Sequence, residues 1–295
     1  MRFTHKDLDT LEPKVLKPVP QPFNSDTPGP LATEYDRRFR KQYTALKVPR
    51  KPAVMEWFEE DELAKSIYEI MQAEMDLEAT KRNLALQSDF NIQDCFSLFD
   101  CRKTAMISRM DFEEVLNLLE LYPQVIEIEL AMARYDTDGD GKLSYDEFKE
   151  ALLPQDENYR KLCLARRSFI AGRHYAKTDF FLYETNRELK NCLQLLINTE
   201  MRAERIRQSL NKRPNFDIEK AFAAIAGSVT VSDGEAGRPD VLHAQDISKF
   251  LVDRNYSPTA AMLNLMFKRL DKHDMKEPKL DDWKREMQPR TSQPV

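Results

Sequence analysis

From Glu59 onward, apolar residues recur at helical spacing. Leu63, Ile67, Ile70, Met71, Met75, Leu77 and Leu84 approximate the period of about 3.6 residues and predict one long amphipathic helix. Ser88-Asp-Phe-Asn-Ile-Gln-Asp94 then supplies residues of the capping type, and Phe96 and Phe99 share one face of the helix that follows. Further stripes run through Val115, Leu116 and Leu119, through Val125, Ile128 and Met132 to Tyr135, and through Phe148 and Leu152 up to Pro154. The second half of the chain repeats the first. At an offset of 126, Glu74, Met75, Glu78 and Leu84 meet Glu200, Met201, Glu204 and Leu210, and Phe90, Ile92, Phe96 and Phe99 meet Phe216, Ile218, Phe222 and Ile225. Further on the offset becomes 135, so that Asp111 meets Asp246, Pro123 meets Pro258, Asp136 meets Asp271 and Phe148 meets Trp283. A nine-residue insertion between Ala226 and Asp246 accounts for the change. The pattern predicts an all-α chain of two matching helix sets, each preceded by a long helix.

Residues 1–57 break this pattern. Eight of the sixteen prolines lie in the first 52 residues, where they remove amide donors and block helix. Aromatics are nonetheless spaced through the segment, and Tyr35, Phe39 and Tyr43 are interleaved with Arg37, Arg38, Arg40 and Lys41. Two readings stay open, a disordered tail and an extended arm that orders along an acidic partner surface. The expected organisation is an arm over 1–57, helices over 58–155, a basic and aromatic connector over 156–183, the second helix set over 184–289, and a tail over 290–295.

The chemistry concentrates in Asp136-Thr-Asp-Gly-Asp-Gly-Lys-Leu-Ser-Tyr-Asp-Glu147. Oxygen ligands fall at alternate places: Asp136, Asp138, Asp140, the backbone carbonyl of Lys142, Ser144 through a water, and Glu147. Gly141 stands at the sixth place, where the chain turns sharply with positive φ, and apolar Leu143 stands at the eighth. This stretch resembles the EF-hand calcium loop, with every diagnostic position filled. Asp100 begins a sister loop 36 residues earlier, but Arg102, Thr104, Ala105 and Asp111 replace the ligands, the turn glycine and the long glutamate. The third loop has lost its spacing, and the fourth, from Asp271 to Asp282, carries His273, Met275, Lys276 and Pro278 at places that disfavour an ion. The expectation is four hands of which three are degenerate, and one Ca²⁺.

Composition adds exclusions. Glycine is scarce at 7 residues and 32% of residues are charged, which suits a helical protein. A net charge of −5 does not point to nucleic acid, and no apolar run reaches the roughly 18 residues a membrane helix needs. Cys95, Cys101, Cys163 and Cys192 show no metal-type pairing and read as reduced thiols of an intracellular chain with no signal peptide. No nucleophile elbow, phosphate loop or paired-histidine metal motif occurs, so an enzyme is not expected.

A narrower likeness lies in Glu200-Met-Arg-Ala-Glu-Arg205, Arg213-Pro-Asn-Phe-Asp-Ile-Glu-Lys-Ala-Phe222 and Asp246-Ile-Ser-Lys-Phe-Leu-Val-Asp-Arg-Asn-Tyr-Ser-Pro-Thr259. These segments are similar to EF-hand proteins of ciliary and flagellar axonemes, including those bound inside doublet microtubules near the inner junction. The likeness covers residues 185–290 and, more weakly, 65–155. It implies a cytoskeletal protein of the cilium that bridges tubulin and neighbouring axonemal proteins, with no membrane or nucleic-acid partner. The alternatives are a calmodulin-like sensor that regulates a target and, with less to support it, a regulatory subunit of a phosphatase or kinase.

Overall fold

A computed structural model describes residues 55–168, 180–227, 241–271 and 278–295. The chain divides between Pro52 and Ala53, and the described residues belong to the unit Ala53–Val295. Residues 1–54 of the expected arm therefore lie outside the described residues, as do 169–179 of the connector, 228–240 of the insertion, and His273, Met275 and Lys276 of the fourth loop. Trp57, expected as the arm's last residue, instead opens the first helix.

Eleven helices and one small sheet are described. A long helix α1 (Trp57–Leu86) precedes α2 (Ile92–Phe99), β1 (Met106–Ser108), α3 (Arg109–Leu118), α4 (Val125–Tyr135), β2 (Lys142–Ser144) and α5 (Tyr145–Leu152). After α6 (Glu157–Ala165) comes a second long helix, α7 (Tyr183–Asn211), then α8 (Ile218–Ala226), α9 (Ala244–Val252), α10 (Ala260–Leu270) and α11 (Leu280–Met287). The helix starts reproduce the sequence repeat. Trp57 and Tyr183, like Ile92 and Ile218, stand 126 residues apart, whereas Arg109 and Ala244, Val125 and Ala260, and Tyr145 and Leu280 stand 135 apart.

Local chemistry explains the boundaries. Asn91 caps α2 by accepting from the amides of Gln93 and Asp94, and Asp217 caps α8 in the same way through Glu219 and Lys220. Ser108 with Asp111 and Ser144 with Glu147 form capping boxes at the starts of α3 and α5. Helices α3 and α9 both end on a left-handed residue, Glu120 at φ 57° and Asn255 at φ 65°, which lets Leu121 and Tyr256 donate back to Leu116 and Leu251. The connector is partly docked. Cys163 of α6 is buried, and the Arg166 guanidinium donates to the carbonyl of Ala85, in the last turn of α1, and to that of Phe90, in the link to α2.

Strands β1 and β2 pair antiparallel, with Ile107 opposite Leu143 and both side chains buried. The equivalent contact in the second set is a single bridge, Val241 to Lys279, beside which Leu242 donates to the carbonyl of Pro278 at 2.9 Å. Proline lacks an amide, so it takes part through its oxygen.

Helices α1 and α7 run antiparallel along each other, tied by Glu69 to Arg202 and, just past the end of α7, by Glu59 to Arg213. Each is about 45 Å long at 1.5 Å per residue, and each serves both cores. The first core, around Phe99, Phe112 and Phe148, receives Leu77, Leu84 and Ala85 from the C-terminal half of α1 and Leu189, Leu193 and Leu196 from the N-terminal half of α7. The second, around Phe222, Phe250 and Trp283, receives Leu63, Ile67, Ile70 and Met71 from the other half of α1, and Ala203 and Leu210 from α7. Among the described residues no helix is long and apolar enough to cross a membrane.

Candidate metal centre

The site lies between the end of α4 and the start of α5. The glycines at the fourth and sixth loop places, Gly139 and Gly141, take φ of 76° and 77°, which side chains with a Cβ resist. That bend turns both amides onto the first carboxylate: Gly139 donates to Asp136 Oδ1 at 2.7 Å, and Gly141 to Oδ2 at 3.0 Å. Asp138 Oδ1 accepts from the Asp140 amide at 3.2 Å, and Asp140 Oδ1 from the Lys142 amide at 2.8 Å. Glu147 reaches across from α5. Its Oε1 accepts from the Thr137 amide and hydroxyl, both at 2.7 Å, and its Oε2 accepts from the Ser144 amide and hydroxyl, both at 2.9 Å.

These bonds set the charge state. Partial burial pushes the Glu147 carboxyl up, but the donors on Ser144 and Thr137 outweigh it and hold the group down to about 2. At Asp138 the Asp140 amide pulls downward, yet slight desolvation and the neighbouring carboxylates of Asp140 and Glu147 leave the group above its ordinary value. Such crowding of anions is what a bound cation relieves.

Oxygens of Asp136, Asp138 and Glu147 lie within 4.8 Å of one another. Asp140 is not part of that cluster, and Ser144 is engaged as the cap of α5. Lys142 sits in β2, where its carbonyl is the oxygen expected to serve as a ligand. An all-oxygen set with three close carboxylates fits a hard divalent cation such as Ca²⁺. Asp136, Asp138 and Glu147 would hold it, and the ion would supply the positive charge that ties α4 to α5. Thr137 went unnoticed in the sequence. A hydroxyl at the second loop place, aimed at the last ligand, was the available signal.

The sister loop keeps the same path without the ligands. Lys103 and Ala105, at its fourth and sixth places, take φ of 55° and 60° although neither is glycine. Asp100 accepts from the amides of Thr104 and Ala105, both at 2.8 Å, matching the role of Asp136. Asp111 is a methylene shorter than Glu147 and bonds only the Ser108 side; its buried Oδ1 has no hydrogen-bond partner among the described residues. The Arg102 guanidinium lies 3.6 Å from that oxygen. The positive charge expected at the third place is thus found beside the last one.

A pair of helix–loop–helix units joined by a short antiparallel strand contact, with one loop of clustered carboxylates, defines a class of cation-binding module. Residues 89–153 match the family described as the EF-hand domain pair, and the chain carries such a pair. A probable calcium-binding protein of Arabidopsis thaliana, CML26, is 32% identical over 65 residues, which is 22% of this chain and 40% of that protein. The chain thus spans less than half the length of the curated relative it matches.

Proposed function

We propose that the protein is a calcium-braced structural component of the ciliary axoneme, bound to doublet microtubules and bridging tubulin to neighbouring proteins. In this reading α8 to α11 form a second, degenerate EF-hand pair, and the 136–147 loop is the single Ca²⁺ site. One observation supports a frame over a target-capturing sensor. A sensor exposes an apolar groove to seize a helix. Here the apolar faces of both helix sets pack on α1 and α7 of the same chain, so each groove already holds its helices. The axonemal placement is carried by the likeness of residues 185–290 to axonemal EF-hand proteins, and the basic segment after Tyr35 suits acidic tubulin.

The test is co-sedimentation of the full chain with purified doublet microtubules, with calcium and with chelator. Binding in both conditions, weakened by removing residues 1–54, is the expected result. A protein that stays in the supernatant in both overturns the structural reading. The similarity to the Arabidopsis protein suits a sensor equally well. That second reading predicts calcium-dependent exposure of apolar surface, measured by dye binding, whereas the frame predicts none.

A further inference from the structure

We propose that a buried ion-pair network at the centre of the molecule carries occupancy of the 136–147 loop into the second helix set, so that the first set's ion braces both. Four acids and four arginines meet there: Glu74 from α1, Glu200, Glu204 and Arg207 from α7, Arg134 from α4, Arg269 from α10, Glu286 from α11, and Arg290 beyond it. All are buried except Arg290, which is nearly so.

The arrangement follows the internal repeat. Glu74 and Glu200 are equivalent positions on the two long helices, and Arg134 and Arg269 are equivalent positions on α4 and α10. The arginines cross over: Arg269 of the second set pairs with Glu74 of the first long helix, and Arg134 of the first set faces Glu200 of the second. The two crossings are not equally made. Arg269 bonds Glu74, donates to Glu200 at 2.9 Å and to Glu286 at 2.6 Å. Arg134 Nε stops 3.6 Å from Glu200 Oε1 and, although buried, has no hydrogen-bond partner among the described residues. A buried donor left unpaired is costly, so this crossing has free energy to gain by closing.

The slack crossing belongs to the loop that can hold an ion. Arg134 lies in the last turn of the helix that leads into Asp136, and its neighbour Tyr135 packs its ring 5.4 Å from the Lys81 ammonium of α1. Beside them lies a cavity of about 380 Å³ lined by residues of both helix sets. Thr137 and Glu147 of the loop form part of its wall, and Leu265 and Lys268 of α10 form another. A cation shared by Asp136, Asp138 and Glu147 fixes the last turn of α4 against α5. The proposal is that this constraint seats Arg134 on Glu200, and through Glu200 tightens Arg269 and Arg207 around α10 and α11.

Trp283 provides the readout, because it is fully buried in the second core and Trp57 is the other tryptophan of the chain. In a Trp57→Phe background, urea unfolding followed at Trp283 is compared with calcium at about a hundred times its dissociation constant and with chelator. The expected result is a roughly hundred-fold fall in the opening equilibrium at Trp283. The shared long helices could carry part of that shift, so Arg134→Met decides. Calorimetry should still find the ion bound, while the calcium response at Trp283 falls below about a tenth of its value, and Arg134→Lys restores part of it. An Arg134→Met chain that binds calcium and keeps the whole Trp283 response overturns the proposal. Hydrogen exchange on the unsubstituted chain gives an arm independent of the variant's folding. Calcium should slow the amides of α10 and α11, and unchanged exchange there overturns the proposal as well.

Discussion

Ala105 stands at φ 60°, where its counterpart Gly141 stands at 77°. An alanine in that region costs about 1 kcal/mol, and the loop bears it because Asp100 takes the Ala105 amide and Ile107 is buried just beyond. Ala105→Gly should therefore raise stability by about 0.5–1 kcal/mol in urea unfolding, with calcium binding unchanged; a loss of stability would show that the strain is not there. At Glu147 the direction reverses. Glu147→Gln keeps the shape but removes a charge from the cluster, and calorimetry should lose the binding heat seen for the unsubstituted chain at calcium up to about 10⁻⁴ M. Acidity acts through depressed carboxyls. Glu147 is held down to about 2, and burial that would raise Glu200 and Glu286 is outweighed by Arg269, Arg290, Arg207 and Arg134. A depressed carboxyl contributes stability that is present above its unfolded value near 4.5 and lost as pH falls through its folded value. Far-UV circular dichroism and Trp283 emission should therefore persist at about pH 4 and be lost only nearer pH 2. Joint loss at about pH 5 would contradict the assigned bonds.

One glutamate of each long helix secures the end of its helix set. Glu78 of α1 accepts from the amides of Gln155 and Asp156 just past α5, and Glu204 of α7 accepts from Arg290 and Thr291 just past α11. The two acids sit at one repeat position, as do the amides they receive. Glu78→Ala should cost about 2–3 kcal/mol, because two partly buried amides lose their acceptor. Glu204→Ala should cost about 3–5 kcal/mol, because it also leaves buried Arg207 without a partner bonded at 2.8 Å. Equal costs in thermal or urea unfolding would remove the distinction. The repeat itself was legible from the chain, since Glu78, Glu204 and the offsets of 126 and 135 reappear at the helix starts. The acidic loop was legible too, because its clustered carboxylates Asp136, Asp138 and Glu147 lie within twelve consecutive residues and need no tertiary knowledge. What those glutamates do was not legible. A buried acid and a solvated one look alike until the amides and arginines that satisfy it, 77 or 86 residues away, are folded against it. Nor does a helical stripe say what covers it. The stripe from Leu63 to Leu84 is continuous, yet its two halves enter different cores.

That exchange decides how the whole molecule behaves. Two separate lobes, each with its own long helix, would be divisible in the connector. In this fold the N-terminal half of α1 supplies Leu63, Ala64, Ile67, Ile70 and Met71 to the core built around Trp283, and the N-terminal half of α7 supplies Leu189, Leu193 and Leu196 to the core built around Phe148. A chain cut between 168 and 180 would leave each fragment with half of its own long helix unpartnered and one apolar groove open. Burying a leucine or isoleucine contributes about 1.5–3 kcal/mol, so losing several such contacts per core exceeds the stability of a typical domain. Residues 55–168 and 180–295, expressed separately, should bind an apolar dye and show broad, non-cooperative thermal unfolding. Mixed or co-expressed, they should restore the helicity of the intact chain and close both grooves to the dye, because the antiparallel helix pair re-forms between fragments. Two fragments that each unfold sharply alone would show that α1 can turn back onto its own helix set. They would also remove the reason given above for preferring a frame to a sensor, because each groove would then be free to take a foreign helix.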